Sequence, residues 1–242
     1  MGLHIQISKI EKKFGEVIAL NQIDDFFDSG KLHGLIGPEG AGKTTLLRSI
    51  MGLLIPDSGN ISFIENAHSL RFSDIKNKIS YMPQRQSLYP DLSIEEHLDF
   101  FKSLYGIDDS SFQAKSKELL EITRLKKFLD RPAGKLSGGM YKKLGLMLAL
   151  LQSPKILLLD EPTNGVDPIS RREFWDLLHH LISDKIIIIY ATSYMDEAER
   201  CDLVHLLDKG QLFSKGTPSD LLEKAKLKTF DEYYLTHTKG IV

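Results

Sequence analysis

Gly37-Pro38-Glu39-Gly40-Ala41-Gly42-Lys43-Thr44-Thr45 decides the reading of this chain. It matches the phosphate-loop pattern G-x-x-x-x-G-K-[ST] at every fixed position. The flanks agree with it. Lys31-Leu32-His33-Gly34-Leu35-Ile36 before it is a short apolar run of strand type. Thr45-Leu46-Leu47-Arg48-Ser49-Ile50-Met51-Gly52 after it has a helical composition, closed by a glycine suited to a C-cap. The chemistry explains the residue types. A triphosphate carries several negative charges close together, and inward-turned backbone N–H groups at a helix N-terminus make a concave site for it. Side chains would block that approach, which accounts for glycines at 37, 40 and 42. Lys43 has the charge to neutralise the β- and γ-phosphates, and the Thr44 hydroxyl is placed to coordinate Mg²⁺. At ordinary residue frequencies the fixed positions match by chance in roughly 1% of chains of this length.

A second stretch supplies acids. Lys155-Ile156-Leu157-Leu158-Leu159-Asp160-Glu161-Pro162 reads as a buried parallel strand ending in two carboxylates. In open α/β sheets the ligand lies at such strand ends. Asp160 is placed to hold Mg²⁺ through water, and Glu161 to orient or deprotonate an attacking water. Buried strands ending in an acid are common, so the weight comes from the partnership with the phosphate loop. A third stretch, Lys135-Leu136-Ser137-Gly138-Gly139-Met140, precedes the helical segment Tyr141–Leu151. Ser137 with two glycines makes either a second anion site at a helix N-terminus or a plain N-cap.

Around these stretches the chain reads in order. Residues 3–9 alternate apolar and polar, a second strand runs about Val17–Phe27, and the two make an antiparallel edge sheet. Phe14 lies between them, as a core residue or as a flat ring for a base to stack on. Strands follow at Ile61–Ile64 and Lys78–Met82, the latter closed by Pro83-Gln84. From 86 to 153 no strand pattern occurs. Ser93 with Glu96 forms a capping box, with Leu98, Phe101 and Leu104 at helical spacing behind it. A second helical pattern runs from Phe112 to Leu129 around Leu119, Leu120, Ile122, Leu125 and Phe128. Beyond the acids, Pro168 opens a helix to about Leu181 with Trp175 and Leu178 as packing residues. Strands then run at Ile186–Ala191, Asp202–Leu207 and Gln211–Ser214, a short acidic helix at Met195–Arg200, a helix at 218–226, and a polar tail. The fold class is α/β: a P-loop NTPase sheet lobe (1–85 and 154–242) with an antiparallel β edge subdomain and an inserted all-helical lobe (86–153).

Composition narrows the class. The chain has 242 residues, 42% hydrophobic and 26% charged, with a net charge of −2. That is ordinary for a globular protein and gives no basic surplus for a nucleic-acid partner. The lone Cys201 excludes an intrachain disulfide and fits a reducing compartment. Cys201 and His205 would share a helix face, but two ligands make no metal site. The N-terminus reads as neither a signal peptide nor a myristoylation site, since Gln6 stands where Ser or Thr is needed. The longest apolar runs are too short to cross a bilayer. Any membrane link is expected through another subunit.

Taken together, Gly37–Thr45, Leu136–Met140 and Asp160-Glu161 resemble the ATP-binding subunit of an ABC transporter over nearly the whole length. The resemblance assigns an adenine-contacting aromatic (Phe14), the glutamine loop (Gln84, near the metal-bound phosphate), the signature (Ser137, Gly138, Gly139) and a loop ending in Asp167. It implies ATP and Mg²⁺ as ligands, and a head-to-tail dimer in which each ATP lies between one phosphate loop and the other chain's signature helix. It also implies transmembrane permease subunits, hence a cytoplasmic place on the inner face of the membrane. Gly165–Pro168 and Tyr194–Glu199 resemble the type-2 exporters of the drug-efflux kind. Three positions depart from the family. Glu39 replaces an Asn and Met140 a Gln. Ser193 stands where the family has a γ-phosphate-contacting histidine; it is shorter and carries no positive charge. These variants resemble the first ATPase half of tandem drug-efflux proteins. The chain therefore resembles one half of such a protein, or a separate subunit that forms a homodimer or pairs with a different ATPase. Two other readings stay open: an ABC ATPase serving assembly or regulation, and a nucleotide-binding partner with little turnover. A GTPase is disfavoured because no Asn-Lys-x-Asp motif occurs.

Overall fold

The alternation at the start of the chain builds a hairpin. Strand β1 (Leu3–Phe14) pairs antiparallel with β2 (Val17–Asp28), from His4 opposite Asp28 to Phe14 opposite Val17. The computed structural model describes residues 2–85, 88–182 and 185–238. In it β1 continues past the expected end at residue 9, because register shifts between Ile7 and Lys13 twist the pair without ending it. Strand β3 (Lys31–Ile36) then enters a second sheet and helix α1 (Lys43–Ile50) follows. Strands β4 (Ser58–Glu65) and β5 (His68–Leu70) return to complete a four-stranded sheet of order β2-β1-β4-β5. A single helical turn, α2 (Phe72–Ile75), leads into β6 (Ile79–Met82).

The next segments are helical: α3 (Ile94–Tyr105), α4 (Asp109–Thr123) and α5 (Gly138–Leu150). Residues 86 and 87, where the helical stretch was expected to open, lie outside the described residues. The capping box forms as expected: Ser93 Oγ accepts from the Glu96 N–H at 3.1 Å, and Glu96 accepts from the Ser93 N–H at 2.7 Å. The expected pattern over 112–129 is broken. Arg124 adopts φ 60°, which stops α4, and a separate 3₁₀ turn covers Lys126–Phe128. Leu119, Leu120 and Leu125 are buried, but Ile122 and, on α3, Leu104 face solvent. Helical spacing placed those two on the apolar stripe; they sit at its margin, partly open to solvent.

The chain then lays down β7 (Ile156–Asp160), α6 (Pro168–Leu181), β8 (Ile187–Thr192), β9 (Leu203–Asp208) and β10 (Gln211–Gly216). The second sheet has the order β10-β9-β3-β8-β7-β6, parallel except for β10. Helices α7 (Pro218–Ala225) and α8 (Phe230–Thr238) close the fold. The polar tail is thus corrected: Phe230 and Tyr233 are buried, three residues apart on one helical face, and only 239–242 lie outside the described residues. Cys201 and His205 share no helix. Cys201 follows the 3₁₀ turn Met195–Arg200, while His205 lies within β9. Among the described residues no group of three or more His, Cys, Asp or Glu is arranged to hold a metal, and no helix is long and apolar enough to cross a membrane.

The second sheet is buried on both faces, and the period of two divides its residues. Leu157, Leu159, Ile188 and Tyr190 face a core shared with α3–α6, including Trp175 and Leu178. Ile156, Leu158, Ile187, Ile189 and Ala191 face the opposite core, shared with α1 and the first sheet. A polar cluster ties the sheets together. His33 Nδ1 lies 3.0 Å from His205 Nε2, His205 Nδ1 lies 2.7 Å from Asp25 Oδ2, and Lys215 pairs with Asp25 Oδ1 at 2.8 Å. Burial pushes His33 down to about 4, with the neighbouring His205 adding to the effect. Burial also lowers His205, against the pull of Asp25.

Candidate functional site

The parallel register gathers the site at one edge of the second sheet. Ile36 lies opposite Thr192, Asp160 opposite Ala191, and Met82 opposite Leu159. The residues that follow, Gly37, Ser193, Glu161 and Gln84, therefore emerge side by side from the C-terminal ends of β3, β8, β7 and β6. Backbone bonds fix the joints: Gly37 N–H donates to Thr192 O at 3.2 Å, and Glu161 N–H to Ala191 O at 2.9 Å.

Two glycines are required by the loop itself. A Cβ at Gly37 would stand 2.1 Å from Leu207 O. At Gly42, with φ 107°, it would stand 2.4 Å from Ala19 O. The loop ends directly in α1, so Lys43 and Thr44 occupy its first turn. Lys43 is buried, and its ammonium donates to Gly37 O at 2.6 Å and Pro38 O at 2.9 Å. It also pairs with Glu161 Oε1 at 3.2 Å. The Thr44 hydroxyl donates to Asp160 Oδ1 at 3.0 Å. Ser193 Oγ donates to Glu161 Oε2 at 3.3 Å. Glu161 holds φ 48°, the left-handed region, immediately after the strand. This strained backbone turns its carboxylate toward Lys43.

The loop opens on a cleft of 510 Å³. It is lined by Phe14, Val17 and Ala19 of the first hairpin, by the loop and helix residues Glu39, Gly40, Ala41, Gly42, Lys43, Thr44 and Thr45, and by Gln84, Arg85 and Glu161. Phe14 is not a core residue. It is 51% exposed at the end of β1, with Lys12 Nζ 5.7 Å from its ring centroid. Gln84 is exposed, and its carbonyl accepts from Lys142 of α5 at 3.3 Å.

Eight expected site residues do not line that cleft: Gly37, Pro38, Asp160 and Ser193 are hydrogen-bonded to residues that do, while Ser137, Gly138, Gly139 and Asp167 belong to the α5 and α6 ends. Ser137 caps α5, its Oγ accepting from the Met140 N–H at 3.3 Å. Ser137 and Gly138 are exposed. Gly139 is buried, and a Cβ there would stand 2.3 Å from Ser170 Oγ of α6. Asp167 caps α6, accepting from Ile169 N–H at 3.1 Å and Ser170 N–H at 3.0 Å. The hydrogen bonds from Ser170 hold its carboxyl below the usual range. The helix carrying Ser137 and the helix carrying Asp167 are further joined by an ion pair of Lys143 with Glu173.

Besides the apolar Val17 and Ala19, two polar residues reach the site without a motif to mark them. Arg85 lines the cleft beside Gln84. Tyr81, read only as part of a strand, donates its hydroxyl to Asp160 Oδ2 at 2.9 Å. The signal was strand parity: Tyr81 pairs with Leu158, which points to the same face as Asp160.

Residues 20–164 match the ABC transporter family, more than half of the chain. The chain belongs to the ABC transporter family. Several of its relatives and structural neighbours are ATP-binding components. YbhF, a probable multidrug ABC transporter ATP-binding protein of Escherichia coli (strain K12), is 42% identical over 234 residues. That match covers 93% of this ABC chain and 39% of the relative, so the chain spans well under half of YbhF. Nod factor export ATP-binding protein I of Burkholderia lata is 36% identical over 220 residues, covering 90% of the chain and 72% of the relative. The solved ATP-binding subunit of an ABC transporter superposes with a TM-score of 0.82 at 28% identity, covering 97% of this chain and 99% of that one. The site just described is thus set in an ABC ATP-binding fold, a nucleotide-binding domain with its antiparallel β subdomain.

Proposed function

We propose that this chain binds and hydrolyses ATP to power an exporter whose membrane-spanning subunits are supplied separately. One arrangement carries the reading: the phosphate loop meets the acid pair, with Thr44 3.0 Å from Asp160 and Lys43 3.2 Å from Glu161. The names of the relatives, a multidrug ATP-binding protein and a Nod factor export ATP-binding protein, favour export as the task.

In this mechanism, the loop amides of Gly40, Ala41 and Gly42 receive the phosphates, with Gly37, Pro38 and Glu39 shaping the approach. The Lys43 ammonium leaves its loop carbonyls for the β- and γ-phosphate oxygens. The Thr44 hydroxyl and the Asp160 carboxylate are hard oxygen donors, the set that suits Mg²⁺, with Gln84 at the rim as a further oxygen. Mg²⁺ bound there would neutralise charge on the β- and γ-phosphates. Release from Lys43 frees Glu161 Oε1 to orient the attacking water and accept its proton. Phe14 stacks on the adenine. Thr45 adds its N–H at the start of α1.

Ser137, Gly138, Gly139 and Asp167 serve the other site in this reading. The exposed N-terminus of α5 caps the nucleotide held by a second ATPase domain in a head-to-tail pair, and the partner's equivalent closes this one. Residues 86–153 act as the helical lobe against a sheet lobe of 1–85 and 154–242. The membrane subunits hold the chain at the inner face of the cell membrane.

A specific observation favours slow turnover at this chain's own site. Ser193 keeps a hydrogen bond to Glu161 but brings no cation to the γ-phosphate. The assignment of the cleft is tested by Lys43→Ala, which is expected to abolish ATP binding in an equilibrium titration. Retained micromolar affinity contradicts it.

A further inference from the structure

Asp160 is fully buried, and both of its carboxylate oxygens are engaged. Oδ1 accepts from Thr44 and Oδ2 from the Tyr81 hydroxyl at 2.9 Å. A buried carboxylate oxygen left without a donor is costly, and a carboxylate with one free oxygen swings about its Cβ–Cγ bond. The Tyr81 hydroxyl removes that freedom by holding Oδ2.

We propose that Tyr81 is a positioning residue for the metal–nucleotide complex: its hydroxyl pins Oδ2 of Asp160 so that Oδ1 stays turned to the Thr44 hydroxyl. The inference rests on the reading that Thr44 and Asp160 face Mg²⁺. Three features support it. The parity of β6 and β7 puts Tyr81 and Asp160 on one face, so the contact is built into the sheet register. Asp160 is fully buried, so the Tyr81 hydroxyl is a donor to Oδ2 that bulk water cannot readily replace. The contact also places the site's support on β6, the strand that carries Gln84 into the cleft.

The test is Tyr81→Phe in the full chain, which keeps the ring and removes only the donor. A nonhydrolysable ATP analogue is bound first in EDTA, and Mn²⁺ is then titrated into the complex and followed by its EPR signal. The expected result is a Mn²⁺ affinity lowered roughly tenfold or more. Metal-free analogue affinity should stay as in the wild type, while the melting temperature falls modestly because the buried Oδ2 loses its donor. An equal loss of metal-free affinity overturns the proposal by showing Tyr81 to be merely structural. Unchanged Mn²⁺ affinity in Tyr81→Phe, with a clear loss in Thr44→Val, overturns it and leaves the cleft reading standing. Indifference of Mn²⁺ affinity to both substitutions overturns both.

Discussion

Phe14→Ala separates base recognition from phosphate recognition. Phe14 ends β1 beside the hairpin turn and is 51% exposed, and it lines the same cleft as Gln84 and Glu161. Because the ring is already half in water, its loss is expected to change folding stability by no more than about 0.5 kcal/mol. Stacking of a base on an aromatic ring contributes about 1–3 kcal/mol by alanine substitution. At about 1.4 kcal/mol per decade, the ATP dissociation constant should rise roughly 5- to 150-fold. The phosphate end is untouched, so the affinity for inorganic tripolyphosphate should stay within about twofold of wild type. Calorimetric titration of both ligands into wild type, Phe14→Ala and Phe14→Trp reads the effect, with Trp expected to hold ATP at least as well as Phe. An ATP affinity indifferent to Phe14→Ala would refute the adenine contact. An equal loss for tripolyphosphate would show that the ring shapes the loop and not the base site.

Two further predictions concern the catalytic edge and the sheet junction. Ser193→His restores a charge-capable donor next to Glu161 and is expected to raise steady-state turnover roughly tenfold or more; an unchanged rate would place the limit elsewhere. The His33–His205 pair predicts a pH dependence of stability. His33 sits at about 4 when folded, while the unfolded chain takes up its proton near 6.5, so stability is full above that value and falls as pH drops toward 4. At pH 5 the loss from His33 is about 2 kcal/mol. Urea unfolding at pH 7.5 and pH 5 measures it, and coincident midpoints contradict it.

What the sequence made legible is local. The phosphate loop and the acid pair are contiguous runs, and covalent spacing fixes most of their geometry. The strand and helix that flank the loop follow from composition alone. What it left hidden depends on long-range pairing. Asp25, His33, His205 and Lys215 come from four separate strands, and no periodicity joins them. The Tyr81–Asp160 contact spans 79 positions and exists only because β6 and β7 are neighbours. The end of α4 turned on one residue, Arg124, entering the left-handed region, which an arginine adopts only when its surroundings impose it. The α8 helix was readable in principle from the spacing of Phe230 and Tyr233, but polar residues dominate that segment.

The central claim is that this cleft hydrolyses ATP through Glu161 once a second copy or a related ATPase closes it. Steady-state ATPase activity of the purified chain, with Glu161→Gln as the blank, tests that most directly when run over a range of protein concentrations. Slow turnover above the blank is expected, with specific activity rising as protein concentration rises. ATP bound by both proteins, with no difference in turnover at any concentration, would contradict it.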